Sequence, residues 1–240
     1  MYIHQQRKEL FVFTMYAVVY IFIVAIFSLV IKHNPLPIFG AKGFTEDGWY
    51  VFFIKLVFLF LVPLYMYRRF GYSIRSIFHL QEPKRWILVF SCFMVGILLN
   101  SGYFGEIFSV MTTGGEFIWI KLLLGLLLPL VQAALPEEIF YRYILQTRLE
   151  KAIGAFAGIV LSAILFSLFH FPSRYLLASG VEGIAGDLSS ILLGTILPTF
   201  VIGIILGYLW YKFRNIWILI ALHYGIDILP SGASFLNILH

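Results

Sequence analysis

The chain of 240 residues is 61% hydrophobic and only 12% charged, with a mean hydropathy of +0.93. A soluble domain of this size carries about 25% charged and about 45–50% apolar residues, so a water-soluble globular fold is excluded. The net charge of +5 does not mark a nucleic-acid binder, because the basic residues sit in short segments between apolar runs, where they set membrane topology.

Seven membrane spans are predicted, at about 10–31, 48–67, 86–104, 117–147, 153–171, 189–211 and 215–230, on the criterion that about 20 apolar residues cross a bilayer. The first follows "MYIHQQRKE". It is longer than a signal-peptide core and lacks a small-residue cleavage site, so it reads as a retained anchor. The segment "FGYSIRSIFHL" (70–80) is amphipathic and is expected at the membrane interface. An eighth short or re-entrant segment near either end is compatible with the pattern. No repeat, low-complexity tract or linker interrupts the chain, so residues 1–240 are expected to form a single membrane domain. The expected fold class is all-α: a polytopic transmembrane bundle of about 7–8 helices with an intramembrane polar site.

Loop charges set the expected orientation. With the N-terminus inside, the inner segments hold Arg7, Lys8, Arg68, Arg69, Arg75, Lys84, Arg85, Arg142, Arg148, Lys151, Lys212 and Arg214, twelve basic residues. The outer segments hold three, Lys32, Lys42 and Arg174, while Lys55 and Lys121 fall within spans. This positive-inside bias predicts a cytoplasmic N-terminus and, with seven spans, an external C-terminus. Cys92 is the only cysteine, which excludes an internal disulfide and a cysteine-based metal site.

Polar residues inside the spans carry the functional signal. "LPEEIFYR" places Glu137, Glu138 and Arg142 directly after an apolar run, although each such charge costs roughly 2.5–3.5 kcal/mol at the bilayer centre. Farther on come His170 in "FSLFH", then His223 and Asp227 in "HYGID". Each has a plain structural reading. Glu138 and Arg142 are four apart and can neutralise one another, and single membrane histidines commonly serve as packing hydrogen bonders. Depth makes the set more than its parts. The fourth and fifth spans turn near Ala152, which puts Glu137 and His170 within roughly 5 Å of one depth. His223 follows the turn near Phe213 by ten residues, and Asp227 lies one helical turn further on the same face. A carboxylate and a histidine can thus meet inside the membrane, beside a second histidine–acid pair.

These residues resemble a known family. "EEIFYR" fits the EExxxR motif, "FSLFH" the FxxxH motif, and "HYGID" resembles the third, HxxxN/D, motif of the CPBP intramembrane proteases, which include the type II CAAX prenyl endopeptidases and the bacteriocin-processing Abi proteins. Order and spacing agree: 33 residues separate the first Glu from the first His, and 53 the first His from the second. The resemblance covers about residues 117–230, the expected catalytic core, and residues 1–110 contribute family-variable spans. It implies an endopeptidase acting on a membrane-associated protein or peptide. Glu137 with His170 would activate the attacking water, and His223 with Asp227 would stabilise the oxyanion. Glu138 and Arg142 would support them, with Phe166 packing near His170. Asp227 departs from the Asn often found there. An ionised carboxylate repels an oxyanion, so orienting His223 is its preferred role. No cofactor is expected. Zinc held by Glu137, His170, His223 and Asp227 is the alternative, since these are zinc-type ligands.

The implied partners are membrane lipid and a peptide or membrane-anchored protein substrate, and the expected location is a prokaryotic cell membrane. A proton-relaying transporter or a bacteriocin-immunity factor with a buried Glu/His/Arg network is the alternative function, although the inverted repeats and paired broken helices of transporters are not evident in the sequence. Three further features have modest expectations. Pro129, Pro136 and Pro198 are expected to kink their spans. Gly203 and Gly207 form a GxxxG that implies close helix packing. Residues 172–188, with Gly180, Gly183 and Gly186, read as an exposed connection.

Overall fold

The computed structural model describes residues 2–33, 45–78, 85–115, 117–178 and 182–237. Lys42, Lys84, Gly180 and the end of the expected interfacial segment, residues 79–80, lie outside them. The described residues form eight helices and no strand: α1 (Tyr2–His33), α2 (Thr45–Leu61, continuing as Val62–Arg69), α3 (Arg85–Leu99), α4 (Tyr103–Thr113), α5 (Ile118–Ile153), α6 (Ala155–Leu177), α7 (Leu188–Phe213) and α8 (Ile216–Asn237). The all-α bundle expected from composition is the fold observed. Five of these helices, α1 and α5 to α8, are long and apolar enough to cross a membrane, and α3 with α4 makes a sixth if the pair is one span. α2 occupies the place of the expected second span.

The third span is where expectation and structure part. The chain breaks at Asn100–Gly102, and α4 leaves α3 at 75°. At the break Asn100 donates its side-chain amide to the Ile226 carbonyl of α8 at 2.8 Å, a partner remote in sequence. Of the expected interfacial segment, described residues 70–78 contain a tight 3₁₀ turn at Ile74–Ser76, with Ile77 buried and Ser76 within 3.1 Å of the Tyr143 hydroxyl on α5. Finally, α6 carries Pro172 within it and runs on to Leu177, so the first six residues of the expected 172–188 connection are helical. The described remainder is ordered by Asp187, which caps α7 by accepting from the Ser189 and Ser190 amides.

α5 positions the site. At about 1.5 Å per residue its 36 residues span roughly 54 Å, well beyond a ~30 Å hydrocarbon core. The chain then reverses at Gly154, whose φ of +87° is open to glycine but costly to other residues. Two prolines lie within α5. Neither can donate to the carbonyl four residues back, and wide π-type turns follow each, at Leu130–Ala134 and Glu138–Gln146. Such turns rotate the side chains after them and recur at functional sites.

α8 is held against α3 at backbone distance. A Cβ on Gly96 would come within 2.5 Å of the Leu222 carbonyl oxygen, and Gly225 faces Gly96 across the same crossing. The GxxxG of α7 packs as expected: Gly203 lies on Ala163 of α6, and Gly207 fits beneath Ile159 and the Gln146 amide, which donates to the Gly207 carbonyl at 2.8 Å.

Candidate active site

Glu137 lies 17 residues before Gly154 and His170 lies 16 after it, so α5 and α6 present them at nearly the same depth. α8 enters from the Arg214 turn, whose left-handed backbone ends α7, and brings His223 to the same region. The two glutamates and Arg142 are buried almost completely. Charges at such a place persist only when paired, and the pairing explains the cluster.

Arg142 Nε lies 3.3 Å from Glu138 Oε2, the expected i,i+4 pair. The two atoms are close but poorly aligned for a hydrogen bond, so the interaction is ionic. Arg142 also donates from Nη1 to Ser162 Oγ on α6 at 3.3 Å, and its guanidinium lies 4.6 Å from the centre of the Phe166 ring. Ser162 donates in turn to the Tyr141 carbonyl, which locks α5 to α6 beside the site.

Glu138 Oε1 is 2.8 Å from His223 Nδ1. Across the ring, His223 Nε2 stands 3.3 Å from Asp227 Oδ2 and 3.7 Å from Glu137 Oε2. One imidazole therefore touches three carboxylates. With Arg142 and Lys55 beside it, the ring completes a buried cluster of acidic and basic groups.

The other oxygen of Glu137, Oε1, pairs with the ammonium of Lys55 on α2. Sequence reasoning had no role for Lys55. Its signal was the bare presence of a lysine in an apolar span, which requires a partner. Glu138 was likewise expected only to support the site, yet it is the nearest carboxylate to His223.

His170 stands beside this ladder. Its Nδ1 is 3.0 Å from the Phe166 carbonyl one turn back, so the tautomer that donates there leaves Nε2 as an acceptor. Its ring lies 3.9 Å from that of Phe169 and 5.2 Å from that of Phe166. Phe166 is thus packed near His170 as expected, and it also reaches to 6.2 Å from the His223 ring. Tyr141 stacks on Phe169 at 5.3 Å, and Tyr20 closes the far side, which gives the site an aromatic wall.

Residues 119–229 match the family model of the Rce1-like type II CAAX prenyl endopeptidases. Over that region the chain is similar to the CPBP intramembrane proteases, the family that its three motifs resemble. No curated protein and no solved structure matches the chain. That similarity, with five helices long and apolar enough to cross a membrane, supports an integral membrane protein of protease type, and the matched region runs from the start of α5 to Leu229, two residues beyond Asp227.

Among the described residues no three His, Cys, Asp or Glu side chains form a group able to hold an ion. The Lys55 ammonium also occupies an oxygen of Glu137, the carboxylate that would head a ligand set. An ammonium and a dication compete for one carboxylate, and Glu137 is a member, with His170, His223 and Asp227, of the alternative zinc set.

Proposed function

We propose that the chain is an intramembrane endopeptidase in which Glu137 Oε2 is the general base. The observation that carries this reading is the buried contact of Glu137 Oε2 with His223 Nε2 at 3.7 Å, made between two motif-bearing helices. Glu137 Oε2 has no hydrogen-bond partner among the described residues, so it is the oxygen available to water. Water attacks the peptide carbonyl carbon while Glu137 accepts its proton. The C–O bond forms, the C–N bond breaks, and Glu137 returns the proton to the leaving amine. General acid–base transfer of this kind contributes about 10²–10⁴-fold.

His223, held by Glu138 through Nδ1, presents Nε2 to the developing oxyanion, where a preorganised donor is most effective. Asp227 orients His223 and does not contact the oxyanion. His170 shares water activation with Glu137, and Arg142 holds Glu138 in line. The reaction requires no metal. Residues 117–230 form the catalytic core, and residues 1–110 contribute supporting spans. The substrate is a membrane-associated peptide or protein presented near the bilayer midplane, and nucleic acid has no part. The N-terminus faces the cytoplasm of a prokaryotic cell, in keeping with the excess of basic residues in the segments expected on that side.

The test is cleavage of a membrane-peptide library by the purified protein, beside Glu137→Ala and His170→Ala, with and without a chelator. Cleavage that is lost in both variants and retained with chelator is the expected result. Loss with chelator and recovery with zinc would overturn the metal-free mechanism. No cleavage by folded wild-type protein would overturn the enzyme and leave a transporter or immunity factor.

A further inference from the structure

Lys55 is a charged residue in an apolar helix, outside all three motifs and outside the family match, yet its ammonium contacts the proposed base. Its side chain is 12% exposed and that of Glu137 is 1% exposed, so the pair is screened only weakly by solvent. The same ammonium lies 5.6 Å over the Phe169 ring, next in sequence to His170. One cation from α2 thereby touches α5 at Glu137 and α6 at the neighbour of His170.

We propose that Lys55 is a positioning residue that anchors Glu137 Oε1, so that Oε2 alone is turned toward the reacting water and His223. This inference rests on the endopeptidase reading above. A glutamate has three rotatable bonds before its carboxylate, and a carboxylate with two equivalent oxygens can turn either of them to the substrate. Pairing Oε1 across 82 residues of sequence removes that freedom. It leaves Oε2 beside His223 Nε2 and without a hydrogen-bond partner among the described residues. The counter-charge supplied by Lys55 also balances Glu137 independently of His223, whose nearest carboxylate is Glu138. Two adjacent glutamates are thus given separate cations, Lys55 for Glu137 and Arg142 for Glu138. Adjacent acids sharing one cation would have no such division of labour.

A misplacement of about 1 Å at a reacting group costs on the order of 10²-fold in rate. Lys55→Met is therefore expected to lower kcat by about 10²-fold, with KM changed by no more than about threefold, because a residue that acts only by orienting Glu137 leaves ground-state binding unchanged. Lys55→Arg keeps a cation within reach of Oε1 and is expected to recover activity to within about tenfold of wild type. In a Glu137→Gln background, Lys55→Met should add less than about twofold, since a residue acting through Glu137 has nothing left to position. Thermal unfolding in detergent monitors the fold throughout, and Lys55→Gln replaces Lys55→Met if the latter does not fold, with the same loss expected.

Wild-type kcat in folded Lys55→Met or Lys55→Gln would overturn the inference while leaving the endopeptidase intact. So would equal losses in the Met and Arg variants that track a lowered melting temperature, which is the signature of a merely structural lysine. Absence of cleavage by the wild type would instead overturn the endopeptidase reading itself.

Discussion

The contact between α3 and α8 is the place where one atom should disturb the site from a distance. Gly96 lies on α3, away from every motif, but a Cβ there would meet the Leu222 carbonyl oxygen at 2.5 Å, and the Gly225 carbon and Ile226 nitrogen at 2.7 Å. All three are backbone atoms and cannot rotate aside. Comfortable heavy-atom contacts begin at about 3.5 Å, so Gly96→Ala must part the helices by roughly 1 Å. Overpacking of this kind typically costs about 1–3 kcal/mol. The displaced element is the segment that carries His223 and Asp227, and His223 contacts Glu137 and Glu138 from that helix. A shift near 1 Å should therefore lower peptide cleavage by about 10²-fold, well beyond the modest loss of stability. Gly102→Ala is the control, because a Cβ at Gly102 meets nothing within 4 Å. The assay is kcat/KM on a cleaved membrane peptide, with melting in detergent measured in parallel. A Gly96→Ala enzyme with wild-type kcat/KM would refute the reasoning, since it would mean that α8 is not held at backbone contact.

Three further outcomes are expected. Arg142→Leu leaves Glu138 as an uncompensated buried charge and should destabilise the protein by about 3–5 kcal/mol, seen as a large drop in melting temperature; an unchanged melt would refute the pairing. Glu138→Gln should reduce kcat far more than Asp227→Asn does, because Glu138 is fully buried and sits at 2.8 Å from His223, whereas Asp227 is 34% exposed and stands at 3.3 Å. Steady-state kinetics of the two variants rank them, and the reverse order would make Asp227 the stronger of the two carboxylates that orient His223. Lys151→Cys placed in a Cys92→Ser background should react with a membrane-impermeant thiol reagent in inside-out vesicles and not in intact cells; labelling of intact cells would invert the proposed orientation.

The membrane class, the helical fold and the identity of the charged residues were all legible in the sequence, because each follows from a local quantity. Composition excludes water as the solvent. Run length sets where helices cross, and the expense of an unpaired intramembrane charge requires that Glu137, Glu138, Arg142, His223 and Asp227 find partners. Depth was legible too: the turn expected near Ala152 falls at Gly154, and the agreement of Glu137 with His170 only tightens. What the sequence left open was rotation about the helix axes. A helix that is apolar on every side has no polar face to define its azimuth, so nothing in α2 announced that Lys55 would turn to Glu137, or in α8 that Glu138 would be the nearest carboxylate to His223. The break between α3 and α4 was hidden for the same reason, since Asn100 leaves its helix for a carbonyl of α8 that is remote in sequence. Which charges are present is a property of the chain. Which of them pair was decided by tertiary packing, where glycines set how closely helices approach and each buried ion had to take a partner within reach.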